Sequence, residues 1–316
     1  MKGKSVLTLV IPVYRNEASI PDLLDAVSGL HCDLDGEMQA VFVIDGSPDR
    51  SYELLHDALP SRAFSSKLAL LSRNFGSFSA IRTGLELSES DRYAVMAADL
   101  QEPPELVLEM DKALRNEPVD VVVGTRQGRE DPLMSRLPAE VFWWFYRKYV
   151  VPEVPPGGVD VFGCNKEFRD NLLRLDERHS SLIAQLFWLG FRRKLIYYSR
   201  RSRQHGKSAW TFRKKINYLM DSVFSFTDLP IRLLVRGGGI TATLAGLLGV
   251  VVMIGKLIGL ISVPGYAMTI LTIIFLGAVN LFGLGIVGSY AWRIYENTKG
   301  RPHTITMRVH QFNQTA

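Results

Sequence analysis

The residues of this chain that could do chemistry fall into two groups of opposite charge. The first is a set of oxygen ligands, Glu17, Asp45, Asp49, Asp99 and Gln101, each placed just after an apolar run. Asp99 and Gln101 stand at i and i+2, so both can face one site. Carboxylate and amide oxygens suit a hard divalent cation, and such an ion neutralises the charge of a departing diphosphate. A lone strand-end Asp more often makes a turn or a cap. Pro103-Pro104-Glu105 reads as a helix start, with Glu102 as its capping residue. The second group is basic: Arg192 to Lys215 holds ten Lys/Arg and no Asp or Glu. Such a block suits phosphates of a nucleotide, a nucleic acid or a lipid headgroup. The plain alternative is a solvated charged face. Gly206-Lys207-Ser208 favours the phosphate reading, because small residues and backbone N–H groups form anion-binding concavities.

These side chains need elements to hold them. Apolar runs at 5–13, 39–44, 67–71, 93–98 and 119–124 predict strands, and helical spacing predicts helices at 18–30, 52–59, 78–87 and 105–115. Strands and helices alternating at these lengths imply an α/β fold with a doubly wound, mostly parallel sheet. Ligands of such sheets bind beyond the carboxyl ends of the strands, which is where the acids fall.

Hydrophobic residues make up 47% of the 316, but they are segregated: from Gly237 to Trp292 the sole charged residue is Lys256. A spanning helix needs about 20 apolar residues. Two fit, at about 236–259 and 267–292, with a turn around Pro264-Gly265. Lys256 can snorkel to the interface. Arg232 and Arg236 precede the pair, Arg293, Lys299, Arg301 and Arg308 follow it, and the connector carries no charge. The positive-inside rule then puts both termini in the cytoplasm of a multi-pass plasma-membrane protein. Gly246, Gly249, Gly277, Gly283, Gly285 and Gly288 favour close helix approach and make a homo-oligomer plausible. Residues 139–150 and 212–232 mix aromatics with cations; each could be a core helix or one lying at the membrane interface, the second with more reason. The resulting division is a cytosolic domain over 1–210, a juxtamembrane amphipathic helix over 211–235, two spans within 236–293 and a cytoplasmic tail over 294–316. Cys32 and Cys164 lack metal-ligand spacing and read as reduced thiols. The first residues do not resemble a signal peptide. A basic block adjoining a membrane hairpin argues against nucleic acid as a partner.

Val10-Ile-Pro-Val-Tyr-Arg-Asn-Glu17, Val43-Ile-Asp-Gly-Ser-Pro-Asp49, Ser72-Arg-Asn-Phe-Gly76 and Ala98-Asp-Leu-Gln-Glu-Pro-Pro-Glu-Leu106 resemble the successive motifs of glycosyltransferase family 2. Gly157-Gly-Val-Asp160 and Arg200-x-x-Arg203-x-x-Gly206-Lys-Ser208 extend the resemblance to the polyisoprenyl-phosphate branch, over roughly residues 5–303. Any one motif would be weak, but their order is specific. The resemblance implies a GT-A nucleotide-binding domain. It implies inverting transfer of one sugar from a nucleotide-sugar to a polyprenyl phosphate at the cytoplasmic membrane face. It places Pro12, Tyr14, Glu17, Asp45, Arg73, Asn74 and Gly76 on the donor. Asp99 and Gln101 become ligands of Mg2+ or Mn2+. Arg200, Arg203, Lys207 and Ser208 fall on the diphosphate and lipid phosphate. Asp160 sits where an acceptor-side acid is expected, so Asp99, Asp160 and Arg203 are the catalytic set. A lipid phosphate is ionised near neutral pH, so positioning and charge screening serve better than a strong base.

Two residues depart from the family pattern. Ile44 replaces the first acid of Asp-Asp-Gly-Ser, and Ala97 replaces the first acid of Asp-Ala-Asp. Both positions serve the nucleoside side of the donor, so the identity of the base and sugar stays open. A non-catalytic scaffold is an alternative. A processive polysaccharide synthase is disfavoured, because Gln185 is followed by Leu186-Phe187-Trp188-Leu189 rather than completing Gln-x-x-Arg-Trp.

Overall fold

The computed structural model describes residues 6–127, 144–155 apart from 145 and 149, 158–177, 180–201, 212–258 and 265–313. Eight strands form one sheet in the order β7-β5-β6-β4-β1-β2-β3-β8. Its centre is parallel: β1 (Leu7–Val13) lies between β2 (Met38–Ile44) and β4 (Arg92–Val95), and β3 (Ser65–Leu71) adds beyond β2. The chain runs from β1 outward to β3 and then returns to the other side of β1. That reversal opens a crevice at the carboxyl ends of β1 and β4. Beyond β4, β6 (Val161–Asn165) is antiparallel to both β4 and β5 (Val121–Arg126), while β7 (Arg193–Tyr198) runs parallel to β5.

Helices α1 (Ile20–Asp33), α2 (Ser51–Ala58), α3 (Ser77–Glu86) and α4 (Glu105–Asn116) connect the parallel strands. One core layer joins Leu9, Ile11 and Phe42 to Leu23, Leu24 and Val27 of α1. These are the positions whose 3.6-residue spacing predicts a helix with one apolar face. On the other sheet face α3 comes so close that a Cβ at Gly84 would stand 2.3 Å from Val10. A second core surrounds Tyr93, Phe162, Phe168 and Phe187, and it draws in α5 (Lys166–Arg174) and α6 (Leu182–Trp188). Tyr146 and Val150 are buried there, so the described part of 139–150 contributes to the core while Trp144 stays exposed.

The C-terminal third divides differently from the expected scheme. Helix α7 (Phe212–Phe226) ends ten residues before the expected first span, and Leu229 already begins α8 (Leu229–Leu257). The long apolar helix therefore absorbs the end of the expected juxtamembrane segment, since Leu229–Val235 continues its apolar pattern. Helix α9 (Tyr266–Thr298) follows. Both are long and apolar enough to cross a membrane, over Leu229–Val251 and Phe275–Thr298, and none of either stretch is buried. They touch where a Cβ on Gly283 would meet Leu234 at 3.1 Å; Gly246, Gly249, Gly277, Gly285 and Gly288 face open space rather than a neighbouring helix. Helix α7 lies against α9, with Arg293 Nη2 donating to Asp221 Oδ1 at 2.8 Å and the Phe224 and Tyr290 rings 5.0 Å apart.

The expected tail over 294–316 needs the largest correction. Helix α9 runs to Thr298, and Thr306–Phe312 forms β8, antiparallel to β3. Without it β3 would be a bare edge with a row of unpaired backbone groups, and pairing with β8 removes that liability. The residues after the apolar helices thus complete the same sheet that the first residues begin.

Candidate active site

The loops at the ends of β1, β2 and β3 are bound into one unit. Glu17 donates its N–H to Asp49 Oδ2 at 3.1 Å, and its own carboxylate accepts the Arg50 N–H at 3.2 Å. Arg15, in the left-handed region at φ 56°, donates its N–H to Ser47 Oγ at 2.7 Å. Asp49 also accepts from the Ser47 hydroxyl at 2.6 Å. Burial works to raise its pKa, but hydrogen bonds from Ser47, Ser51 and the Glu17 N–H outweigh it and hold the carboxyl below the ordinary value. Pro12 and Tyr14 are half-buried beside these contacts.

Asp45 is 2% exposed and both its oxygens serve the next loop. It accepts from the N–H of Phe75 at 2.7 Å, the N–H of Gly76 at 2.9 Å and Asn74 Nδ2 at 3.0 Å. These contacts hold the loop 73–76 against the end of β2. Gly46, at φ 58°, lets the loops meet: a Cβ there would lie 2.2 Å from the Arg73 carbonyl carbon. Arg73 is exposed, with its guanidinium 4.2 Å from the Phe75 ring centre.

Beyond β4 the chain turns through Leu100, whose φ of 52° lets the Gln101 N–H approach Asp99 Oδ1 at 3.4 Å. The basic segment following β7 closes on this turn. Arg200 Nη2 donates to Gln101 Oε1 at 2.6 Å, and Arg201 donates its N–H to the Gln101 carbonyl at 2.9 Å. Glu102 is not a cap: the N-cap of α4 is Pro104, with no side-chain bond, while Glu102 is 3% exposed and pairs with Arg200 Nε at 3.4 Å. Burial, joined by the charges of Asp160 and Asp99 and opposed by Arg200, pushes its pKa up to about 7. Glu102 Oε2 is buried without a hydrogen-bond partner among the described residues.

Asp160, just before β6, accepts two hydrogen bonds from Arg126, from Nε at 2.5 Å and Nη2 at 2.6 Å, and one from the Tyr198 hydroxyl at 2.6 Å. Burial and the Asp160 charge raise the pKa of Tyr198. A carboxylate held by a bidentate guanidinium and a phenol is fixed in place, which suits anchoring better than proton transfer.

The structure thus brings Asp99, Gln101, Asp160 and Arg200 to one side of the β1–β4 seam and the three loops that follow β1, β2 and β3 to the other. Arg203, Lys207 and Ser208 lie outside the described residues. Sequence reading missed Arg126, Tyr198 and the burial of Glu102. Arg126 and Tyr198 each end a strand, and that position was the available signal. Asp99 and Gln101 offer hard oxygen donors, and the partnerless Glu102 oxygen lies close by, so the residues fit Mg2+ or Mn2+. Among the described residues no group of three or more His, Cys, Asp or Glu could hold a metal. A magnesium-like site needs only one or two carboxylates, with substrate phosphates and waters completing it.

The family model Glycosyl transferase family 2 matches residues 8–175. An uncharacterized glycosyltransferase of Synechocystis is 31% identical over 94% of this chain and 93% of its own length. CsbB of Bacillus subtilis, named as a glycosyltransferase, is 31% identical over 95% of this chain and 91% of its own. A prophage-derived bactoprenol glucosyl transferase of Shigella flexneri is 29% identical over 97% and 99%.

Proposed function

The chain belongs to glycosyltransferase family 2 and is a glycosyltransferase of GT-A fold, and from that premise we propose that it moves one sugar, with inversion, from a nucleotide-sugar to a polyprenyl phosphate. The observation that carries this reading is the contact between Arg200 and Gln101. It brings the basic segment that leads towards the membrane helices onto the loop suited to a metal ion. A lipid phosphate arriving from the bilayer and a diphosphate held by a metal would meet there. The relatives named bactoprenol glucosyl transferase, matched over nearly their whole length, support the acceptor class.

Asp99 and Gln101 are the residues that would hold Mg2+ or Mn2+, and a bound ion would screen the diphosphate as it leaves. Pro12, Tyr14, Glu17, Arg73, Asn74 and Gly76 receive the donor, and Asp45 serves it through the loop it holds. Arg200, Arg203 and Lys207 balance phosphate charge, and Ser208 offers it a hydroxyl hydrogen bond. Asp160 positions Arg126 and Tyr198 on the acceptor side. Helices α8 and α9 cross the bilayer as a hairpin, with the sheet on the cytoplasmic side. Both ends of the hairpin continue into the same globular unit, which supports that orientation. The Trp292 and Tyr295 rings under Lys299 Nζ, 5.1 and 4.3 Å away, supply the aromatic and cationic boundary expected at a membrane surface.

The test uses the full chain in nanodiscs, a panel of nucleotide-sugars, Mg2+ or Mn2+, and undecaprenyl phosphate, with release of nucleoside diphosphate as the readout. Release that requires the lipid phosphate and is abolished by Asp99→Ala is expected. Release independent of the lipid would overturn the acceptor, and full activity of Asp99→Ala would overturn the metal assignment.

A further inference from the structure

The segment that leaves α9 contacts the elements on either side of the loop 73–76. Five residues after Thr298, at His303, the chain regains the globular unit, where His303 Nε2 and Asp176 Oδ1 are 2.7 Å apart. Thr304 Oγ1 then lies 2.6 Å from Oγ1 of Thr83, a buried residue of α3. Next, the Ile305 carbonyl accepts the Ser72 N–H at 2.9 Å, and β8 pairs with β3 from Leu71↔Thr306 to Ser66↔Phe312. The loop connects β3 to α3, so the returning segment holds the strand that enters it and the helix that leaves it. Asp45 and Gly46 fix the same loop from within.

We propose that residues 303–306 are a brace for the loop 73–76, with Thr304 a positioning residue, so that the geometry of this loop depends on the chain that emerges from the membrane hairpin. The inference rests on the reading of that loop as donor-binding. Its physical basis is the small menu of loop conformations left once both flanking elements are fixed: freeing one flank restores conformational entropy that donor binding must then remove. The hairpin and the donor site are joined by a stretch too short to act as a slack tether. A domain severed from residues 303–312 would keep its central strands and lose the ordered loop.

The test uses the full chain in nanodiscs. Hydrogen exchange at the Phe75 and Gly76 amides is followed with steady-state kinetics using UDP-glucose, Mn2+ and undecaprenyl phosphate. Thr304→Val is expected to speed exchange of both amides about fivefold, the size of one hydrogen bond's net contribution. Donor KM should rise by a similar factor, with kcat and acceptor KM unchanged, and Thr304→Ser should restore both readouts. Thr83→Val, which also removes the bond from Thr83 Oγ1 to the Ser79 carbonyl at 3.1 Å, should have at least the same effect, and adding Thr304→Val to it should change nothing further, because the bond between the two threonines is already lost. Wild-type exchange of the loop amides in Thr304→Val and Thr83→Val would overturn the brace. Arg73→Ala separates the two readings. If it leaves donor KM unchanged while Thr304→Val loosens the loop, the donor reading fails and the brace stands. If it raises donor KM while both threonine variants match wild type, the brace alone fails.

Discussion

Arg200 Nη2 and Gln101 Oε1 lie 2.6 Å apart although 99 residues separate them in the chain. Their contact draws a cationic segment across the carboxyl end of the sheet and onto the acids that follow β4. Arg200 also pairs with Glu102, which is otherwise a buried carboxyl among like charges. One guanidinium therefore screens the acidic turn and fixes the orientation of an amide oxygen suited to a metal.

Replacing Arg200 with Gln removes that charge while keeping hydrogen-bonding capacity. We expect kcat/KM to fall about 100-fold, in line with the loss of one preorganised electrostatic contact in a transition state. Arg200→Lys should recover only part of the rate, because an ammonium lacks the fork that reaches Gln101 and Glu102 together. Initial rates of nucleoside diphosphate release measure both variants.

Gly46 stands at φ 58° with the Arg73 backbone where a side chain would go. Gly46→Ala should therefore destabilise the protein by at least about 2 kcal/mol, combining left-handed strain with a backbone clash. A thermal unfolding scan should show the melting temperature several degrees lower. An unchanged melting temperature would show that the loops 45–49 and 73–76 are not packed as described.

The Asp49 carboxyl has a folded pKa held below its ordinary value of 3.8. A depressed carboxylate contributes stability that is full above the unfolded pKa and is lost as pH falls through the folded one. Asp49→Asn should lower the melting temperature at pH 7 and flatten its decline below about pH 4. If the variant matches wild type at every pH, the hydrogen bonds from Ser47, Ser51 and Glu17 contribute nothing measurable.

The proposed orientation is checked by cysteine labelling of cells with a membrane-impermeant maleimide. Gly265→Cys, at the start of α9, should react in intact cells. Asn313→Cys, beyond β8, should react only after permeabilisation. Native Cys32 is exposed on the globular unit and serves as an internal control for the cytoplasmic side, whereas Cys164 is buried. Labelling of Asn313→Cys in intact cells would reject the arrangement.

Much of this protein was legible one segment at a time. Continuous apolar runs marked the parallel strands and a 3.6-residue spacing marked their helices, since a strand buried on both faces and a helix buried on one leave those imprints on composition. The apolar stretch between Gly237 and Trp292 was equally plain, because a run of that length with Lys256 as its sole charge has few other uses. The strand-end acids and the basic block were visible too, and the ordered motifs assigned them to a family.

What composition could not supply was which distant residues meet. Burial of Glu102, the clasp of Arg126 and Tyr198 on Asp160, and the return of β8 to β3 each join parts of the chain that share no local pattern. That Asp45 holds a neighbouring loop was not legible either, since it is set by the N–H groups of Phe75 and Gly76. By itself the sequence determined the α/β sheet, the apolar pair of helices and the chemical character of the site, because these follow from periodicity and charge along the chain. Only the tertiary structure decided that the segment after the second apolar helix completes the sheet and flanks the loop 73–76. That pairing is dictated by an open strand edge elsewhere in space, not by anything in residues 306–312 alone.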